Sequence, residues 1–221
     1  MACYDLSQPV ADGMAVYPGD PSVDVSALAT IDADGYRQTA LDIATHTGTH
    51  VDAPAHFIDG GRCIDEFPVE TFRFTARRLD CTGLEPRAEI GRETLSERLA
   101  ADRLATVDLL VVQTGWDDYW DCERYFDHPF LTPAAAEWLV DRGLHLGIDA
   151  PNVDPTPTDS QPSGDPVGYP VHRQLLGAGR LLIENLCGLE RLPRRFELHA
   201  YPLAVEGGDG APVRAVGIAE L

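Results

Sequence analysis

The chain contains no lysine: all 17 basic residues among its 221 positions are arginine. A missing lysine excludes Schiff-base catalysis and the lysine of a phosphate-binding P-loop. Long apolar runs are missing too, since no segment approaches the ~20 residues that a membrane helix needs. The first residues show no basic stretch followed by an apolar one. The sequence therefore predicts neither a signal peptide nor a membrane anchor.

Cysteine is scarce, and its five copies show no metal-binding or redox spacing. They are scattered, odd in number and never arranged as CxxC, at Cys3, Cys63, Cys81, Cys122 and Cys187. None has neighbours that indicate a catalytic nucleophile. Reduced thiols in a cytoplasmic protein are the interpretation that fits best.

Basic residues are few: the chain has 36 acidic residues and 17 basic ones, which gives a formal net charge of −19. So acidic a surface argues against nucleic acid and anionic membranes as partners and leaves a small-molecule substrate. The same composition suits either a salt-rich cytoplasm or merely a GC-rich genome.

The length and composition predict one folded domain over residues 1–221. Residues 107–113 are a mostly apolar run typical of a strand buried on both faces. Thr132 and Pro133 then open a helix that Gly143 ends, and residues 144–149 form the next strand. Strand, helix, strand indicates a βαβ unit, and hence an α/β class with a partly parallel sheet.

Two further patterns predict local structure. Thr94-x-x-Glu97 has the form of a capping box that opens a helix, with Leu95, Leu99 and Leu104 on its apolar face. Near the end of the chain, strands over 196–205 and 213–218 flank a glycine-rich turn at 207–210, which predicts a hairpin.

Residues 150–170 form a proline-rich loop, a feature that is usually functional or disordered. The loop leads to His172 and a short helix expected over 172–176. A strand over 180–186 follows, in which Glu184 shares a face with leucines. An acidic side chain in so apolar a setting needs a partner, and a cation is the obvious one.

The densest polar motif is THTGTHVDAPAHF at residues 45–57. In an extended strand, His46, Gly48, His50 and Asp52 would share one face. The threonines and valine on the other face favour a strand over a helix. Two imidazoles and a carboxylate would then converge, with room for an ion beside the glycine.

His56 completes this motif, because Pro54 should end the strand and start a loop that carries His56 over the same site. One histidine alone is usually an ordinary surface or hydrogen-bonded residue. Three of the chain's seven histidines within eleven positions, in phase with an aspartate, predict a metal site with one histidine left for chemistry.

Residues 46–56, HTGTHVDAPAH, resemble the HxGTHxDxPxH signature of the cyclase family of metal-dependent hydrolases, which includes bacterial kynurenine formamidase and isatin hydrolase. The resemblance implies a compact α/β domain with a mixed β core of the swivelling β/β/α type, assembled into homodimers or homotetramers. Matching motifs follow in the same order along nearly the whole chain: VYPGD at 16–20, TGWD at 114–117, GID at 147–149, IENL at 183–186 and PVRA at 212–215.

The resemblance also implies a site for two divalent ions that share one carboxylate. The ligands of the first ion would be His46, His50 and Asp52. Asp52 would bridge to the second ion, which His172 and Glu184 would also hold. Zinc is the usual ion in the formamidases and manganese in isatin hydrolase, so zinc is the first expectation and manganese the second.

Elementary chemistry agrees with such a site. Imidazole and carboxylate ligands suit zinc or manganese, and no thiolate set competes. Two ions ~3.5–4 Å apart can polarise a carbonyl and lower the pKa of bound water to about 7. By the resemblance His56 is the catalytic acid/base, free to protonate a departing amine. The expected reaction is arylformamidase-like hydrolysis of a C–N acyl bond by a metal-bound hydroxide.

The substrate is less constrained than the reaction. Tyr17 stands where kynurenine formamidases typically carry tryptophan, and Tyr17, Phe57 and Trp116 either line an aromatic pocket or pack in the core. N-formylkynurenine from tryptophan catabolism, a related small amide and a cyclic amide such as isatin all stay open. So do a ring-closing or lyase reaction at the same metals and a non-catalytic binding protein.

Overall fold

The computed structural model describes residues 1–99, 104–157 and 168–219. This part of the chain forms thirteen strands and four α-helices. The strands are β1 (Ala2–Asp5), β2 (Asp24–Ala29), β3 (Gln38–Asp42), β4 (His50–Asp52), β5 (Arg73–Asp80), β6 (Glu89–Ile90), β7 (Leu109–Gln113), β8 (Phe130–Leu131), β9 (His145–Ile148), β10 (Leu182–Glu184), β11 (Arg195–His199), β12 (Gly210–Pro212) and β13 (Val216–Ala219). The helices are α1 (Ile31–Asp34), α2 (Arg92–Leu99), α3 (Pro133–Val140) and α4 (Pro170–Gly177).

Nine strands form one mixed sheet in the order β1-β13-β11-β5-β7-β9-β10-β4-β12. Its centre, from β5 to β10, is parallel, and antiparallel strands extend it on both sides. Parallel neighbours need a crossover, and α3 lies in the connection from β7 to β9. The expected βαβ unit and the α/β class with a mixed β core are therefore confirmed.

Strand β7 packs against hydrophobic residues on both faces of the sheet. Side chains alternate along a strand, so successive residues of β7 belong to different clusters. Leu110 and Val112 belong to a cluster that includes apolar residues of α2, α3 and α4. Leu109 and Val111 belong to the cluster on the opposite face, with residues of β5 and β11. All five residues of β7 are buried, which confirms the prediction made from its apolar run.

The start of α3 follows from two residues. Thr132 Oγ1 accepts a hydrogen bond from the Ala135 N–H, and Pro133 takes the first helical position. A proline costs little there because its missing N–H would have no partner inside the helix. Gly143 adopts a φ of +68° in the turn that follows, so the predicted stop is confirmed as well.

The predicted capping box is wrong. Helix α2 begins at Arg92, so Thr94 lies inside its first turn instead of before it. The carbonyl of Gly91 accepts the Leu95 N–H at 3.2 Å, which sets the start at the glycine. Leu95 and Leu99 are buried as expected, whereas Leu104 lies outside the helix.

The predicted C-terminal hairpin is confirmed, because β11 and β13 pair antiparallel and the isolated bridge between Pro202 and Val213 continues the same register toward the turn. What the sequence did not predict is that Gly210–Pro212, near the tip of this hairpin, form β12 and pair with β4 before the chain continues as β13 between β11 and β1. The helix expected over 172–176 is α4, which begins two residues earlier at Pro170. Of the proline-rich loop, residues 158–167 lie outside the described residues. No described helix is long and apolar enough to cross a bilayer.

Candidate metal centre

The site is built on β4, which lies between β10 and β12 near one edge of the large sheet. The antiparallel register sets His50 directly opposite Glu184 on β10. As a result, His50 Nε2 lies 3.6 Å from Glu184 Oε2 and 3.1 Å from Asp52 Oδ1. The other nitrogen of His50, Nδ1, lies 2.8 Å from the Gly48 carbonyl, so it carries the proton and leaves Nε2 as the acceptor.

The strand expected over 46–52 is wrong in its first half, because residues 45–49 form a turn and β4 begins only at His50. Gly48 adopts a φ of +62°, a conformation that breaks the strand and that glycine alone adopts readily. The turn nonetheless brings His46 Nδ1 to 2.7 Å from Asp52 Oδ1. The three side chains converge as predicted, but by a different backbone route.

His172 reaches the same place from the first turn of α4. Its Nε2 lies 3.6 Å from Asp52 Oδ2 and 3.4 Å from Glu184 Oε1. Its Nδ1 lies 2.8 Å from Asp154 Oδ2, and the backbone N–H groups of Val171 and His172 also donate to the Asp154 carboxylate. One buried aspartate thus caps the start of the helix and orients the ring.

His56 lies in a short 3₁₀ turn that begins at Pro54. Its ring stacks on the ring of His46, with 3.9 Å between the centroids, and it lines the central cavity. Burial lowers the pKa of His56, so the neutral ring is favoured. A neutral imidazole beside a cavity is suited to accept and return a proton.

Besides a set of His46, His56 and Asp209, the donor atoms form two overlapping sets. Within each set, one atom from every residue lies within 4.8 Å of the others, and Asp52 belongs to both. Asp52 Oδ2 is fully enclosed and has no hydrogen-bond partner among the described residues. The two sets are His46, His50 and Asp52, and Asp52, His172 and Glu184.

These residues fit a pair of divalent cations. A buried carboxylate oxygen without a hydrogen bond is costly unless a cation compensates it. The ring of His46 lies between Asp52 and Asp209, and although burial alone would lower its pKa, the two carboxylates raise the pKa of His46 to about 10. So acidic a setting attracts cations, and nitrogen and oxygen ligands suit zinc or manganese.

A cavity of about 270 Å³ opens beside the donor sets. Tyr17 and Phe57 line it, which is one of the two alternatives that the sequence leaves open for them. Trp116 does not, because it packs in the core and its Nε1 donates to the Arg124 carbonyl. Trp120, four residues further along, lines the cavity instead. The other aromatic side chains in the lining are Tyr125, Phe126 and Tyr169.

Sequence reasoning missed Asp209. Asp209 Oδ2 lies 2.9 Å from His46 Nε2 and 3.3 Å from His56 Nδ1. Asp209 comes from the glycine-rich turn before β12, and only the unexpected pairing of β12 with β4 brings it to the site. Tyr169, whose hydroxyl lies 3.1 Å from that of Tyr17, also went unnoticed.

Comparison with known proteins places this geometry in a family. The family model described as Cyclase matches residues 4–155, which include the first donor set and His56. A kynurenine formamidase of Salinibacter ruber is 35% identical over 98% of this chain and 97% of its own length. The chain therefore belongs to the Cyclase family, as the HTGTHVDAPAH motif indicates.

Solved structures agree with this assignment. Isatin hydrolase A from Ralstonia solanacearum superposes with a TM-score of 0.85 at 25% identity, over 99% of this chain and 92% of that one. A structure described as a potential metal-dependent hydrolase with cyclase activity superposes with a TM-score of 0.75 at 26% identity, over 100% and 98%. The fold expected from the resemblance is confirmed.

Proposed function

We propose that the protein is a metal-dependent hydrolase of a C–N acyl bond, with an arylformamidase-like activity on N-formylkynurenine or a related small amide. One observation carries the proposal: two donor sets share the buried Asp52, whose Oδ2 has no hydrogen-bond partner among the described residues, beside a histidine that belongs to neither of these sets and lines an aromatic cavity. The 35% identity to a kynurenine formamidase supports the same reaction class.

Five residues would hold the ions. His46, His50 and Asp52 would bind one ion, and Asp52 would bridge to a second ion held by His172 and Glu184. Divalent ions in such a site supply Lewis acidity for the acyl oxygen and lower the pKa of coordinated water to about 7. The ligand chemistry favours zinc first and manganese second.

His56 would manage the proton. An amide nitrogen is a poor leaving group unless it is protonated as the C–N bond breaks. His56 lines the cavity and belongs to neither donor set that shares Asp52, and in that role its ring would take a proton from the attacking water and pass it to that nitrogen. Tyr17, Phe57 and Tyr169 would hold the aryl group and exclude bulk water from the acyl carbon.

A cyclic amide such as isatin is the second candidate, and the charge of the cavity favours it. No arginine is found among the described residues that line the cavity, whereas Asp20 lies at its wall. The α-carboxylate of N-formylkynurenine would therefore meet no arginine in the described lining. An uncharged ring amide avoids that cost.

Turnover measurements on metal-loaded protein test both candidates. The protein is depleted with a chelator, reloaded with zinc or with manganese, and assayed with N-formylkynurenine, formanilide and isatin. We expect hydrolysis of at least one substrate, strictly dependent on added metal. Absence of turnover with all three, or full turnover without metal, would contradict the proposal. The relative kcat/KM values of the three substrates distinguish an enzyme for an amino-acid amide from an enzyme for a ring amide.

We further propose a cytoplasmic homodimer or homotetramer that acts on a small molecule and on neither nucleic acid nor membrane. All five cysteines are free, which suits a reducing compartment. Leu28, Ile31, Tyr36 and Leu41, on and beside the β2–β3 pair, are each more than half exposed and are suited to a subunit contact. Light scattering coupled to size-exclusion chromatography would measure the assembly, and a monomer at micromolar concentration would contradict it.

A further inference from the structure

One carboxylate contacts both the ligand histidine His46 and the proton-carrying histidine His56. Asp209 Oδ2 lies 2.9 Å from His46 Nε2 and 3.3 Å from His56 Nδ1. The other oxygen, Oδ1, accepts a hydrogen bond from the Thr45 hydroxyl at 2.9 Å. The two rings are stacked, so a single oxygen reaches the edges of both.

The backbone around Asp209 is fixed on all sides. The Asp209 carbonyl accepts the Ala53 N–H at 2.9 Å, and the Gly208 carbonyl accepts the Ile64 N–H at 2.8 Å. Gly210 approaches so closely that a Cβ there would lie 2.7 Å from the Val51 carbonyl oxygen and 2.8 Å from His46 Cε1. The position of the carboxylate is therefore set by strand pairing and by glycine, not by a flexible loop.

Hydrogen-bond chemistry then dictates the tautomers of the two rings. A carboxylate only accepts, and a neutral imidazole has one donor and one acceptor nitrogen. His46 faces a carboxylate at each nitrogen, so when a metal takes one of them the contact with Asp209 keeps the proton on Nε2 and leaves Nδ1, the nitrogen beside Asp52, as the ligand atom. His56 must donate from Nδ1, which leaves Nε2 as its acceptor.

We propose that Asp209 is a positioning residue that fixes His46 as a metal ligand and His56 as a proton carrier in complementary tautomers. The proposal rests on the proposed function, because it assigns the partner of two residues that act there. It predicts that metal affinity and turnover depend on one side chain that itself binds neither metal nor substrate. Carboxylate partners of this kind change metal affinity or activity by about 10- to 100-fold in other metal sites.

A different role for the same contacts is that of a ligand. His46, His56 and Asp209 also bring one donor atom each within 4.8 Å of one another. If Asp209 were a ligand of a further ion, His56 would be bound and unable to carry a proton. The stoichiometry of bound zinc separates the two roles.

The direct test is nitrogen NMR of the zinc-loaded wild-type protein with ¹⁵N-labelled histidine. We expect a proton on Nε2 of His46 and on Nδ1 of His56. Each assignment is made from the couplings between the ring nitrogens and the ring protons of that histidine. The opposite tautomer on either ring would overturn the proposal. This measurement needs no variant, so it holds even if a substitution at Asp209 impairs folding.

The second test replaces Asp209 by asparagine, which removes the negative charge and leaves one acceptor oxygen for the Thr45 hydroxyl and both rings. Glu206→Gln serves as the matched control, since this exposed carboxylate lies in the same turn. For Asp209→Asn we expect zinc affinity, measured by chelator competition, and kcat each to fall by about 10- to 100-fold, with KM unchanged. Glu206→Gln should change neither by more than about twofold, in line with an exposed surface substitution.

A double variant separates the two effects. In a His56→Ala background at saturating zinc, Asp209→Asn should lower kcat no further, yet it should still weaken zinc binding. Wild-type zinc affinity and kcat in Asp209→Asn would overturn the proposal, as would a third zinc ion that this substitution removes. If wild-type protein hydrolyses no amide, the proposed function fails, while zinc affinity and the tautomers still decide the role of Asp209.

Discussion

Nδ1 of His172 lies 2.8 Å from Oδ2 of Asp154, and the same oxygen accepts the backbone N–H of His172 at 3.0 Å. Oδ1 of Asp154 accepts the N–H of Val171 at 2.9 Å. A single buried carboxylate therefore caps the first turn of α4 and keeps the ring proton of His172 on Nδ1. Nε2 is then the nitrogen that can lose its proton and bind a metal, as a ligand atom must.

Replacement of Asp154 by asparagine should weaken metal binding more than it weakens the fold. The amide can still accept from one N–H, but it no longer favours the ring proton on Nδ1. We expect zinc affinity to fall by about 10- to 100-fold and the free energy of unfolding of the metal-free protein to fall by ~1 kcal/mol. Chelator competition and urea denaturation measure the two. Asp118→Asn, at an exposed site, is the control, and equal zinc affinity in both variants would contradict the prediction.

His56→Ala should slow amide hydrolysis without removing the metal. Loss of a general acid costs about 10²- to 10⁴-fold in rate, and His56 belongs to neither donor set that shares Asp52. The loss should be smaller for an aryl ester with a nitrophenolate leaving group, because that group departs without protonation. Steady-state kinetics on formanilide and p-nitrophenyl formate, with zinc measured by mass spectrometry, test this. Equal losses for the two substrates would show that His56 does not protonate the leaving group.

Local signals explain which parts of the fold could be predicted from the sequence. The apolar run of β7 indicates burial on both faces, and Thr132 followed by Pro133 indicates the start of a helix. Both signals depend on residues that are close together in the sequence, so they can be recognised without the fold. Thr94 misled because Gly91, three residues earlier, already supplies the first helical carbonyl. The first residue of a capping box must lie outside the helix, whereas Thr94 follows two residues that are already helical.

The candidate site likewise contains residues that a local motif reveals and residues that only the tertiary fold brings in. His46, His50, Asp52 and His56 lie within eleven positions, so their number and spacing are visible in one short motif. Asp209 is visible only once β12 is paired with β4, and a long-range pairing of this kind has no local signature. The strand predicted through His46 failed because the alternation of polar residues is compatible with either a strand or a tight turn at Gly48.

Removal of the ions should destabilise the protein. Without a cation, Asp52 Oδ2 remains buried with no hydrogen-bond partner among the described residues. Zinc at about 100 times its dissociation constant should add ~2.7 kcal/mol to the free energy of unfolding, or about 5–10 °C in Tm for a domain of this size. Calorimetry with zinc and with excess chelator measures the difference. Asp52→Asn, which alters both donor sets, should lose most of it; a full shift in that variant would contradict the assignment.

Gly210→Ala should damage both stability and the site. The new Cβ would lie 2.7 Å from the Val51 carbonyl oxygen and 2.8 Å from His46 Cε1, so β12 or His46 must move. We expect a loss of about 1–3 kcal/mol in the free energy of unfolding, together with weaker zinc binding. Gly177→Ala is the control, because a Cβ there meets Ile58 Cδ1 at an ordinary 3.5 Å. Equal stability of the two variants would contradict the prediction.

Acid should destabilise the fold through histidines far from the metal centre. Burial lowers the pKa of His128 to about 4. The Pro129 carbonyl, which accepts from Nδ1 of His128, opposes this shift, as do Asp127 and Asp154. The positive charge of Arg87 acts in the same direction as burial. Burial and Arg180 likewise lower the pKa of His145 to about 4. The unfolded chain titrates near 6.5, so between about pH 6.5 and 4 it binds more protons than the folded protein. The free energy of unfolding therefore falls as the pH falls through this window, and the contribution is fully present above it.

His128→Gln isolates this contribution, because it removes the titrating ring from a site that does not contact the metal ligands. From pH 7 to pH 5, the wild-type protein should lose ~2 kcal/mol more free energy of unfolding than the variant does, as expected for one histidine with this pKa shift. Urea denaturation in excess chelator measures both curves, so that titration of the ligand residues is common to them. The variant loses the hydrogen bonds of His128 to Pro129 and Thr156 at every pH, which offsets its curve without changing its slope. Parallel curves would mean that His128 is protonated in the folded protein as readily as in the unfolded chain.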